Sequence, residues 1–178
     1  MDRPQPTVEE IRAKACAAAF GDPLISNIYR GLVAEIVVGT ALGLEWKLCS
    51  GDWRGWDFEH SSGCRLEVKQ SAARQTWTGS RNATKPIFDI RARTGYFEGA
   101  DWIADPRRFA DIYVFAHHPI MDEAADHRDV GQWKFYVLDT NRLPAGKTIS
   151  LAKIAALSTT VLWIGLESAV ESMRMALR

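Results

Sequence analysis

The stretch from Gly55 to Gln70, GWDFEHSSGCRLEVKQ, constrains the fold most, because its alternation lets it pair in one register. Trp56, Phe58, Cys64, Leu66 and Val68 fall on one face, and Asp57, Glu59, Arg65, Glu67 and Lys69 fall on the other. Ser61-Ser62-Gly63 suits a three-residue hairpin loop, with glycine as the left-handed residue that such loops place last. The pattern predicts antiparallel strands over 56–60 and 64–71, one face in a core and the other densely charged. In that register Asp57 sits directly opposite Glu67, with Cβ atoms roughly 4.5–5.5 Å apart. Two carboxylates at that separation repel, and both stay ionised only with something positive between them. A divalent cation such as Mg²⁺ meets that need, since it uses one or two carboxylates and keeps waters for substrate phosphate oxygens. Lys69 lies on the same face, roughly 6–7 Å beyond Glu67 along the strand. An ammonium there can hold an attacking water or balance charge growing on a phosphate. The alternative is a solvent-facing hairpin with alternating charges.

Elsewhere the elements are plainer. Thr7 and Glu10 have capping-box spacing and predict an alanine-rich helix over 8–20, stopped by Gly21-Asp22-Pro23. A second helix follows over 24–42, closed by Gly43. A strand over 45–49 precedes the hairpin. DIYVFAH at 111–117 and WKFYVLD at 133–139 read as strands, aromatic and β-branched between turn residues. Helices are predicted over 150–157 and 168–177, whereas 72–108 shows no clear period. This order predicts an α/β fold, a mixed sheet with helices packed on it.

The 178 residues, 47% apolar and 25% charged, suit a single domain spanning 1–178 with a sizeable core. No apolar run approaches the roughly 18–20 residues of a membrane helix. Asp2 and Pro4 stand where a signal peptide carries bases and then an apolar stretch, so the chain reads as cytoplasmic, without a membrane role. Cys16, Cys49 and Cys64, with no CxxC pairing, suit neither a disulfide framework nor a zinc site. His117 and His118, adjacent in a strand, point to opposite faces and cannot share a metal, which predicts packing roles. The absence of G-x-S-x-G, P-loop and G-x-G-x-x-G patterns removes the usual hydrolase, NTPase and dinucleotide-binding readings.

A third carboxylate joins the pair. Glu35 lies seven residues from both Ile28 and Leu42, on nearly one line of the second helix, with Gly31 and Gly39 one turn to either side. Such glycines would let the helix backbone approach a sheet, and a glutamate on that seam needs a partner. The plainer alternative is a salt bridge, for instance to Arg30. Charge is also unevenly spread, although 22 bases balance 22 acids overall. From Arg65 to Arg93 there are seven bases and two acids; from Glu98 to Asp129 there are eight acids and three bases. The basic segment starts inside the candidate site and carries Gln75, Thr76, Trp77, Thr78, Ser80 and Asn82, groups suited to phosphates and bases.

Together these residues resemble the PD-(D/E)XK nuclease superfamily. The helix glutamate Glu35, Asp57 in a Gly-Trp-Asp strand opening and the triplet Glu67-Val68-Lys69 followed by Gln70 come in that family's order, and the resemblance covers roughly 25–143. Trp56 replaces the motif's proline. The resemblance implies a restriction-endonuclease-like mixed central β-sheet flanked by α-helices, with the helical region 7–43 before it and helices over about 150–178 after it. It also implies one or two Mg²⁺ ions, with Mn²⁺ as a possible substitute, and hydrolysis of DNA phosphodiester bonds in restriction, phage defence or repair. By position, Asp57 and Glu67 would bind metal with the Val68 carbonyl, Lys69 would position the water, and Glu35 would act through a water or a second ion. Gln70, Arg81, Lys85, Arg91 and Arg93 are the candidate DNA contacts. So short a chain has room for little beyond a catalytic core, so cutting both strands implies a homodimer or two binding events, and a partner is the expected source of specificity. The alternative is a nucleic-acid-binding or assembly module that keeps the fold without catalysis.

Overall fold

The computed structural model describes residues 4–49, 54–77, 85–98 and 100–177. Helix α1, Val8–Phe20, starts where the capping box predicts. The Thr7 side chain accepts from Glu10 N, and Thr7 N donates to Glu10 Oε2 at 2.7 Å. None of its residues is buried. Helix α2, Asn27–Gly39, is shorter than its predicted span because Ile25 is fixed elsewhere, its N–H donating to His127 Nδ1 at 3.0 Å.

Strands β1 (Trp46–Leu48), β2 (Phe58–His60), β3 (Arg65–Ala72), β7 (Ile112–His118) and β8 (Lys134–Asp139) form one sheet in the order β1-β2-β3-β7-β8. Only β3 and β7 are parallel, so the sheet is mixed. A parallel pair needs a long crossover, and this one contains the segment that shows no period in the sequence. It holds β4 (Ile87–Asp89), which pairs with β9 (Thr148–Ser150), and a hairpin of β5 (Arg93–Glu98) and β6 (Asp101–Arg107). Helices α3 (Leu151–Leu157) and α4 (Trp163–Ala176) complete the chain. Helix α4 starts five residues before the predicted 168, with Trp163 Nε1 donating to Val37 O at 3.0 Å. Among the described residues the result is a mixed α/β architecture of a five-stranded sheet and four helices. No helix of the described residues is long and apolar enough to cross a membrane.

Both faces of the sheet are covered. Ala34, Val37 and Val38 of α2 and Leu166 and Val170 of α4 pack on Phe58, Leu66, Val68, Val114 and Phe135. On the opposite face Phe88, Ile149 and Ile154 cover Tyr113, Phe115, Tyr136 and Leu138. All seven residues of β7 are buried, which fits its near-continuous apolar run. Each large aliphatic side chain there contributes about 1.5–3 kcal/mol by leaving water.

From Phe58 onward the hairpin register is the predicted one, Phe58 against Leu66 and Glu59 against Arg65, and Gly63 takes φ 85° in the loop. Two expectations fail beyond Phe58: Asp57 is not directly opposite Glu67, and Trp56 does not share the face of Phe58. Asp57 N donates to Leu66 O at 2.9 Å although Phe58 is Leu66's partner, so the ladder slips by a residue, as in a bulge. Trp56 is thereby turned away from Phe58 and joins the cluster on the opposite face. The charged face is not the solvent-facing surface of the alternative reading: the crossover folds over it, and Glu67 is only 2% exposed. The seam proposed through Ile28 and Glu35 is likewise corrected. Ile28 is 84% exposed, and the buried stripe of α2 runs through Arg30, Ala34, Val37 and Val38. A Cβ on Gly39 would meet the Phe58 ring at 3.1 Å, so close approach holds there, whereas one on Gly31 would meet nothing.

Candidate functional site

The site lies where β2 stops pairing with β3. Beyond Leu66 the edge of β3 loses its neighbour, and Asp57 takes over: its Oδ2 accepts from Val68 N at 2.7 Å. A strand residue turns its N–H and C=O to the same side, so the Val68 carbonyl faces the same gap as Asp57. Burial, then the Glu67 carboxylate, then that of Glu35, push the Asp57 carboxyl up to about 7 from 3.8, against the Val68 N–H and Lys69. Glu35, Asp57 and Glu67 therefore belong to one electrostatic neighbourhood, as the sequence suggests. They do not form a ready-made cage, since among the described residues no three His, Cys, Asp or Glu side chains stand as a metal-holding group.

Glu67 reaches the face opposite α2. Its Oε1 receives Lys69 Nζ at 2.5 Å and Arg93 Nη2 at 3.2 Å. Oε2 is buried with no hydrogen-bond partner among the described residues. Leaving one oxygen of a buried carboxylate unsatisfied is costly. These donors fit a divalent cation. Glu67 Oε2, the oxygen of Asp57 that does not accept from Val68 and the Val68 carbonyl are hard oxygen ligands, and Mg²⁺ fills the rest of its shell with water.

Around Glu67 and Lys69 opens a cavity of about 520 Å³ whose walls include Asp89, Arg91, Arg93, Trp102 and Tyr113. Burial and then the Glu67 charge raise the Tyr113 hydroxyl above its ordinary range, so it stays a neutral donor on that wall. The remaining charges of the hairpin are structural. Trp56 Nε1 donates to Glu59 Oε2 at 3.0 Å, and the Arg65 guanidinium lies 3.8 Å over the Trp56 ring.

The candidate DNA contacts separate. Arg93 and Arg91 line the cavity, Arg91 also pairing with Asp89 at 2.9 Å. Lys85 is exposed just before β4. Arg81 lies outside the described residues, as do Thr78, Ser80 and Asn82. Gln75 is buried with its amide on Ala72 O at 2.9 Å, which corrects its reading as a phosphate donor. Gln70 is held by Arg30 Nε at 2.7 Å and itself donates to Asn27 Oδ1 at 3.2 Å. Arg30, 1% exposed, also reaches Asn27 Oδ1 at 2.7 Å and Ile25 O at 3.3 Å. Its guanidinium thus ties α2 to the residue after Lys69, a role the sequence reading missed. The available signal was an arginine four residues before Ala34 on the helix's apolar stripe.

His117 and His118 pack as expected. His118, His127 and Trp133 form a buried cluster, with ring centroids 4.9 Å apart for the two histidines. Cys16, Cys49 and Cys64 form no disulfide among the described residues. Neither the protein-family models nor the curated proteins compared with the chain match it.

Proposed function

We propose that the protein is a divalent-metal-dependent deoxyribonuclease of the PD-(D/E)XK type, built on a restriction-endonuclease-like core. The observation that carries this reading is the joint burial of Asp57 and Glu67 beside Lys69, with one Glu67 oxygen unsatisfied. A buried pair of acids that raises the Asp57 carboxyl to about 7 is expensive for a fold and useful to a site that takes a cation. The helix glutamate and the mixed sheet that presents Glu67-Val68-Lys69 on a central strand add support.

Asp57, Glu67 and the Val68 carbonyl would hold Mg²⁺, with Glu35 acting through a water. When bound, the ion supplies positive charge that polarises the phosphate and acidifies water. Lys69 Nζ, already on Glu67 Oε1 at 2.5 Å, orients the incoming water and offsets charge on the phosphate. Arg93, on the same oxygen, is placed to receive a phosphate oxygen. The water oxygen bonds to phosphorus as the water gives up a proton, the bond from phosphorus to the sugar oxygen breaks, and that sugar oxygen takes up a proton. Burial of Asp57 and Glu67 lowers the local dielectric at the carboxylates, which strengthens each charge interaction there.

The test is cleavage of plasmid and linear DNA with Mg²⁺ or Mn²⁺, comparing wild type with Asp57→Ala and Lys69→Ala. Metal-dependent cleavage lost in both variants is the expected result. DNA binding without cleavage under either metal overturns the reading in favour of a binding module.

A further inference from the structure

The cavity that holds Glu67 and Lys69 has an aromatic wall that hydrolysis of a phosphodiester does not itself require. Trp102 and Phe97 face each other across the β5–β6 hairpin, with ring centroids 5.0 Å apart at 67°. Both line the cavity, yet they are 49% and 44% exposed. The indole of Trp102 lies over Gly95: a Cβ there would come within 2.7 Å of the ring and within 2.2 Å of Ile103 O. A glycine on one strand therefore seats the tryptophan of the other, and the Phe97 ring packs against it. An exposed indole fixed in this way has surrendered its rotamer freedom before any ligand arrives.

Position gives the wall its meaning. Arg93, at the start of β5, sits 3.2 Å from Glu67 Oε1. Gly95 is two residues further on, roughly 7 Å by strand rise, about the length of one extended nucleotide. Arg91 and Lys69 add positive charge along the same cavity. Cations that track a phosphate backbone beside a fixed π-face are the two components of single-strand recognition. The bases of an uninterrupted duplex are stacked on one another and offer no free face to a ring in a cavity wall.

We propose that the β5–β6 hairpin is a base-stacking arm, Trp102 taking an unpaired base next to the phosphate held at Lys69 and Arg93, so that the protein selects single-stranded DNA over continuous duplex. This deepens the nuclease reading and rests on it for the position of the phosphate.

The experiment measures, in EDTA, the affinity of the full chain for a labelled single strand and for the same strand annealed to its complement. It then measures cleavage of both in Mg²⁺ and in Mn²⁺. Trp102→Ala is expected to weaken single-strand binding about tenfold, the loss of one base–aromatic stack, and to leave duplex binding unchanged. Trp102→Phe should keep most of the affinity. Trp102→Leu, which retains bulk over Gly95 without a π-face, should fall as far as alanine and serves if the alanine variant does not fold. Equal weakening for both DNAs, no weakening, or an effect confined to dissociating a dimer overturns the arm. Selective weakening in a protein that cuts neither DNA keeps the arm and overturns the nuclease. Cleavage by wild type with Trp102→Ala unchanged does the reverse.

Discussion

Replacing Asp57 with asparagine is expected to make the metal-free protein more stable at alkaline pH. Asp57 is 8% exposed, and burial together with Glu67 and Glu35 raises its carboxyl from 3.8 to about 7. A carboxyl with a higher pKa folded than unfolded takes up a proton on folding. Its favourable contribution is complete below 3.8 and is lost as pH rises through about 7. About 3 pH units at ~1.36 kcal/mol each give a ceiling of about 4 kcal/mol for keeping it ionised at pH 8, shared with its acidic neighbours. Asparagine keeps an oxygen for Val68 N and removes the charge. Half the ceiling, at ~2–4 °C per kcal/mol for a chain of this length, raises the thermal midpoint by about 4–8 °C in EDTA at pH 8 and by little near pH 4. Mg²⁺ should then raise the wild-type midpoint at pH 8 and leave the variant where it is. Thermal melts of the two proteins at both pH values, with EDTA or Mg²⁺, provide the assay. An Asp57→Asn protein that melts at or below wild type at pH 8 without metal refutes the claim that Asp57 is held ionised at a cost.

Other outcomes follow from the same structure. The His127 ring accepts from Ile25 N at Nδ1 and sits with Nε2 on Arg74 O, an arrangement for the neutral ring, and burial lowers its pKa from 6.5 to about 4. Its contribution is present above pH 6.5 and lost towards 4, on the order of 3 kcal/mol, so the urea midpoint should fall over that interval and fall less in His127→Asn. Arg30→Ala should cost about 2–4 kcal/mol by leaving Ile25 O and Gln70 unsatisfied, read as a shift in denaturant midpoint. Thr7→Ala removes the capping box from a helix that buries nothing. Hydrogen exchange in α1 should accelerate while the global midpoint stays put.

How far the sequence could be read depends on whether the physics was local. The hairpin register follows from alternation plus a glycine loop, both contained in sixteen consecutive residues, so the pairing of Phe58 with Leu66 was legible. So was α1, whose start is set by Thr7 and Glu10 alone. The face of Trp56 was not, because a one-residue slip at Asp57 reverses side-chain direction without changing composition. The covering of Glu67 depends on β4, β5 and β6, short strands of the crossover in which Asp89, Arg91, Arg93 and Gly95 interrupt any period. For the same reason, the contact between Arg93 and Glu67, 26 residues apart, carries no local signal. Arg30 was visible as a charge on an apolar stripe, but its partner Gln70 is 40 residues away.

The most direct test of the central claim is the fate of the water oxygen. A short DNA strand is incubated with the protein and Mg²⁺ in ¹⁸O-labelled water, and the products are weighed by mass spectrometry. Metal-dependent phosphodiester hydrolysis predicts shortened strands whose new terminal phosphate carries one ¹⁸O, formed by wild type and absent with Glu67→Gln or EDTA. Intact DNA after incubation with Mg²⁺ and with Mn²⁺, or fragments formed equally by Glu67→Gln, would contradict it.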